Sequence, residues 1–70
     1  MDKIKFDDVT IMRQHVEKLG MDDKQNVDVK DWIRLARSLE KDGHTHLVQY
    51  LRQLGGPEEL EDLIVNTIYG

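Results

Sequence analysis

Glycine interrupts the chain at positions 20, 43, 55 and 56, and each break follows a stretch whose apolar residues recur every three or four positions. Side chains at that spacing share one face of a helix, and a glycine just beyond them can take the left-handed conformation that ends it. No stretch offers a competing strand pattern. The chain is therefore expected to be all-α, a small bundle of four short helices, orthogonal or up-and-down, at about residues 8–19, 29–42, 46–54 and 57–68. It reads as a single helical domain over residues 1–70.

In the first segment Val9, Met12, Val16 and Leu19 form the apolar face. Asp7 is the expected cap, Phe6 and Ile11 are placed as a hydrophobic staple, and Met21 is expected to fold back towards Val16 beyond Gly20. Residues 1–6 alternate weakly and are compatible with an extended segment. In the second segment Asp28 is the cap, Val27 staples against Trp32, and Asp31 favours the positive end of the helix dipole. Its apolar face is Val29, Trp32, Ile33, Ala36 and Leu39, widened by Leu35. The third segment, capped by Thr45, offers Leu47, Val48, Tyr50, Leu51 and Leu54 to the core. The fourth opens with Gly56 as cap, Pro57 in the first turn and Glu58 and Glu59 behind it. Leu60, Leu63, Ile64 and Ile68 face inward. The connection "GMDDKQNVD" has room for an extra helical turn.

Seventy residues without cysteine place the domain near the lower size limit for a self-sufficient core, with neither disulfides nor thiolate metal sites to help. Regular helix packing, or burial against a partner, must supply the stability. At 39% hydrophobic and 34% charged, the composition is that of a folded domain. No apolar run has the roughly 18 residues of a membrane span, and "MDKIKFDD" is too polar for a secretory signal, so the expected location is cytoplasmic.

Charge adds a functional clue. Lys30, Arg34, Arg37 and Lys41 step by four, three and four, which at about 100° per residue confines them to roughly 60° of arc. Surface helices usually interleave signs, because like charges at this spacing repel by a few tenths of a kcal/mol per pair. This stripe is thus the candidate partner-binding surface, for an acidic face on another protein or on a second copy of the chain. The final helix carries four acids and no base, whereas residues 29–54 carry five bases against three acids. The net charge of −4 weighs against general nucleic-acid binding.

Other chemistries find less support. Ala36 between Leu35 and Leu39 resembles the first helix of a helix-turn-helix, but Gly43 comes about three residues late for its turn, and "THLVQYLRQL" offers one strong cation, Arg52. His44 and His46 lie in a turn with Asp42 nearby, yet a zinc site needs at least three ligands and spacing marks no third, so no metal or cofactor is assigned. One of these two histidines is expected to cover the helix junction, the other to face water, and His15 to border the apolar face. Measured as a calcium loop from Asp22, the chain has Val27 where glycine belongs and Ile33 where glutamate belongs. Ser38 lies mid-helix without a marked base, and no glycine-rich phosphate loop is present, so neither an enzyme nor a small-molecule substrate is expected.

Trp32, Leu35, Ala36 and Leu39, standing as "DWIRLARSL", resemble the W-x-x-L-A-x-x-L helix of death-fold domains. That likeness implies a helical module joining other proteins through complementary charged faces. It covers roughly nine residues; death-fold domains have six helices and a longer chain, and no site residue is carried over. The expected function is a small protein–protein interaction module, an adaptor, inhibitor or assembly factor of the size of small phage proteins, that binds an acidic surface or self-associates as a homodimer. The alternative is a nucleic-acid-associated regulator using the second and third helices as a hairpin. Trp32 is expected either in the core or, if exposed, as an interface anchor.

Overall fold

The computed structural model describes residues 5–22 and 26–70. Within them lie four α-helices, α1 (Phe6–Lys18), α2 (Val29–Lys41), α3 (Thr45–Gln53) and α4 (Pro57–Leu63), the last continuing into a π-helical turn (Ile64–Ile68). There is no strand among the described residues. The expected all-α bundle is thus the architecture observed. Any extended start at residues 1–4, and any extra turn at residues 23–25, lie outside the described residues.

Two helix ends follow the sequence closely. Gly20 has φ 72° and Gly43 φ 83°. Beyond each, a pair of backbone bonds closes the helix: Gly20 N–H to Glu17 O with Met21 N–H to Val16 O, and Gly43 N–H to Glu40 O with His44 N–H to Leu39 O. These are Schellman turns, in which a left-handed residue lets the chain reverse while the last carbonyls stay bonded. Met21 is carried back onto α1 and fully buried. The start of α2 also matches, and more completely than expected. Asp31 N–H donates to the Asp28 carboxylate and Asp28 N–H to the Asp31 carboxylate, a reciprocal capping box.

Three helix starts or turns differ from expectation. α1 begins two residues early, because Val9 N–H bonds Lys5 O; Lys5 is the capping position, without a side-chain bond, and Asp7 lies inside the helix. Phe6, 83% exposed, does not form the staple with Ile11. At α3 the His44 carbonyl accepts from Leu47 and Val48, so His44 takes the capping position and Thr45 is the first helical residue. The last helix widens after Leu63, with Tyr69 N–H reaching back five residues to Ile64 O. A π turn bonds each N–H to the carbonyl five residues back rather than four. Ile64 and Ile68, on the same side of this segment, are both buried in the core. The frayed carbonyl end is met from α1, where Arg13 donates to Ile68 O through Nε and Nη2 and lies over the Tyr69 ring.

α2 is the hub, packing against α1, α3 and α4, while α1 packs against the π turn. Leu35 and Leu39 have no exposure and meet Met12, Val16, Leu47, Leu51, Leu60 and Ile68 in one core. The apolar face read for α2 is, however, divided. Val29 and Ile33 are 54% and 46% exposed, and Trp32 and Ala36 are half-buried at the edge of the core. The reason is angular. Leu35 and Leu39 point towards the three neighbours, whereas Val29 and Ile33 lie roughly 100° or more further round, past the cover of α3. Among the described residues no helix is long and apolar enough to cross a membrane.

Two stability measurements follow. Leu39→Ala should lower the free energy of unfolding by about 2–5 kcal/mol, since no part of that side chain touches water. Asp28→Ala should lower it by about 1 kcal/mol through loss of the cap. Denaturant unfolding of the two variants should reproduce that order.

Candidate functional site

Lys30, Arg34, Arg37 and Lys41 are all exposed on α2. Arg34 forms an ion pair with the buried Asp31, Nη1 to Oδ1 at 3.7 Å. Lys30, Arg37 and Lys41 form no ion pair within the described residues. Among the described residues, three of the four cations therefore have no acid paired with them.

Beside them runs a feature that reading α2 alone did not expose. Val29, Trp32, Ile33 and Ala36 from α2, with Val48 and Leu51 from α3, line a shallow groove of about 370 Å³. Arg37, Glu40 and Arg52 form its rim. Around the axis of α2 the order is core, groove, cationic stripe, so the stripe borders an open apolar strip. Trp32 belongs to both regions, packing on the core and lining the groove.

The second cluster sits where α1 meets the α2–α3 corner. His15, from α1, is 5% exposed. Its Nδ1 lies 2.7 Å from Ser38 Oγ and its Nε2 lies 3.2 Å from Asp42 Oδ2. The His44 ring packs edge-on to it, with centroids 5.8 Å apart. Ligand atoms of His15, Asp42 and His44 all lie within 4.8 Å of one another. His46 points elsewhere and pairs its Nε2 with Asp8 Oδ1 at 2.8 Å. Of the two turn histidines, His44 is thus the one at the helix junction; the exposed His46 faces solvent but holds Asp8. His15 is a core residue rather than a boundary one.

Burial sets the electrostatics of this corner. Desolvation holds the His15 imidazole below its ordinary pKa of 6.5; the Asp42 charge opposes this, and His44 and Lys18 add to it. The Asp8 carboxyl is lowered chiefly by its hydrogen bond to His46. Tyr69 is raised, first by desolvation and then by Glu17, which accepts its hydroxyl at 3.2 Å.

Ser38, His15 and Asp42 are connected in the order of a hydrolase triad, a link between sequence-distant residues that spacing could not reveal. Hydrolysis also needs preorganised donors at the reacting carbonyl. Ser38 stands inside α2, where the neighbouring backbone N–H groups are bonded along the helix. The connection therefore reads as a polar tie between α1 and α2.

Comparison with family models, with curated proteins and with solved structures finds no match. The four helices and π turn described here do not reproduce the six helices that the death-fold likeness of residues 31–39 implies.

His15 also gives a pH prediction with a defined sign. An unfolded imidazole takes up its proton near pH 6.5, whereas the folded one does so at lower pH. Below about pH 6.5 the unfolded state therefore binds more protons, and stability falls on acidification through the window down to the folded pKa. Urea midpoints in chelator-containing buffer should drop between pH 7.5 and 5. His15→Gln should flatten that slope.

Proposed function

We propose that this chain is a protein–protein interaction module that docks an acidic amphipathic helix along the outer side of α2. The observation that carries this reading is an open apolar groove bordered by exposed cations that form no ion pair among the described residues. Val29 and Ile33 keep roughly half their surfaces in water, Arg37 and Arg52 line the groove's edge, and Lys30 and Lys41 are exposed further along the α2 stripe. A helix with apolar residues at three- and four-residue spacing fills such a groove, and acids on its flank meet the stripe. Glu40 on the rim disfavours acids at one point and so helps fix the register.

A second copy of the chain suits this groove less well. Glu58, Glu59 and Asp62 of α4 are exposed, but Leu60, Leu63 and Ile64 are buried in the helix's own core. α4 therefore offers charge without the apolar ridge that the groove accepts. A role for the α2–α3 hairpin on nucleic acid has no specific observation in its favour. Nor does the tie through Ser38 supply the donors an enzyme would need. The proposed role is accordingly one of binding, without catalysis.

Selection from a displayed library of helical peptides tests the reading. The expected ligands carry several acids and apolar residues at helical spacing. Ile33→Ser should weaken them at least about tenfold, a loss of about 1.4 kcal/mol, while leaving unfolding within about 0.5 kcal/mol of the parent. Replacing Lys30, Arg34, Arg37 and Lys41 together by serine should reduce the association rate and its salt dependence. Retention on duplex DNA that is lost in the same fourfold variant would instead support the nucleic-acid reading. Concentration-dependent dimerisation abolished by Ile33→Ser would make a second copy the occupant.

A further inference from the structure

The corner formed by His15, Asp42 and His44 has the composition and geometry of a three-ligand metal site. Ligand atoms at about 2.0–2.1 Å from a tetrahedral ion lie about 3.3 Å apart. His15 Nε2 and Asp42 Oδ2 are already 3.2 Å apart, and His44 completes a group spanning no more than 4.8 Å. Only His44 and Asp42 need to turn inward. Both stand at the open side of the cluster, His44 half-buried and the Asp42 side chain 49% exposed.

Two further observations point to a ligand. The ring nitrogens of His44 make no hydrogen bond within the described residues, so a lone pair at this corner is available. Ser38 holds the other nitrogen of His15 at 2.7 Å. A hydroxyl both donates and accepts, so Ser38 serves either tautomer of the ring. Without metal, Nε2–H donates to Asp42 and the Ser38 hydroxyl donates to Nδ1. With metal, Nδ1–H donates to Ser38 Oγ, and Nε2 gives its lone pair to the ion. The second arrangement is the outer-shell support that metal-bound imidazoles ordinarily have.

We propose that His15 Nε2, an Asp42 carboxylate oxygen and a His44 ring nitrogen bind one divalent transition-metal ion, with the fourth position open to water. Two imidazoles and one carboxylate select ions such as Zn²⁺, Co²⁺ or Ni²⁺ over Mg²⁺ and Ca²⁺, which require mostly oxygen ligands. The ion ties α1 to the α2–α3 corner, joining residues far apart in sequence. In a cysteine-free chain of 70 residues, it acts as the staple that small domains commonly use. The Gly43 turn sets the register of the site, because it places Asp42 and His44 on either side of one chain reversal.

The test uses the full chain freed of metal by chelator, titrated with Zn²⁺, and separately with Co²⁺ for its visible absorption. The expected result is one ion per chain, a Co²⁺ spectrum of tetrahedral intensity, and a rise in Tm of about 10 °C or more at free Zn²⁺ about 100-fold above Kd. His44→Gln and Asp42→Asn, both at the open side, should leave the metal-free Tm nearly unchanged and weaken Zn²⁺ at least about tenfold. Ser38→Ala should weaken it by about 10–100-fold. His15→Gln reports on folding as well as binding, so the two open-side variants carry the decision. Absence of binding at millimolar Zn²⁺, equal binding of Ca²⁺, one ion per two chains, or binding unaffected by either open-side variant would overturn the proposal.

Discussion

The structure depends on a single helix having to satisfy three neighbours at once. α2 packs against α1, α3 and α4, and its fully buried Leu35 and Leu39 are the residues around which the core closes. A chain this short has few apolar groups to remove from water, so the free energy of folding is concentrated where several elements share one buried strip. That demand explains the reciprocal cap at Asp28 and Asp31, which anchors the start of the shared helix. It also explains the left-handed turn at Gly43, which sends the chain straight back across it as α3.

The same demand leaves one side of α2 uncovered. Three neighbours occupy one arc, and none of the described residues shields Val29 and Ile33 fully. An exposed apolar strip flanked by cations is costly to maintain in a protein with so little core, which is the physical basis for reading it as a docking surface. At the C-terminal end of α2, on another side of the helix, the chain reversal gathers His15, Ser38, Asp42 and His44 within a few ångströms. The two features are separate: one is apolar and rimmed by charge, the other polar and centred on a buried imidazole.

Much of the fold was legible from local pattern. The spacing of Met12 and Val16, of Leu35 and Leu39, and of Leu60, Leu63 and Ile64 marked residues that are buried. Gly20, Gly43, Asp28 and Pro57 marked helix ends that the structure retains. Helix starts were harder wherever the cap used no side chain, as at Lys5 and His44, because such a cap leaves no residue-type signal. The π turn was illegible for a different reason. It packs against α1, where Arg13 and Glu17 meet Ile68 O and Tyr69, and local propensity does not distinguish it from α. The four exposed cations of the stripe were legible as a set, because helical periodicity alone places them together.

The sequence by itself therefore determined the helical class, the principal buried residues and the cationic stripe, since each follows from the 3.6-residue period and the conformational freedom of glycine. Tertiary structure alone decided that Val29 and Ile33 stay in water, that Trp32 faces both core and groove, and that His15 meets Asp42 and His44. Those outcomes turn on which helices cover which arc of α2 and on contacts between residues more than 25 positions apart. Neither quantity is contained in a periodicity read along one segment.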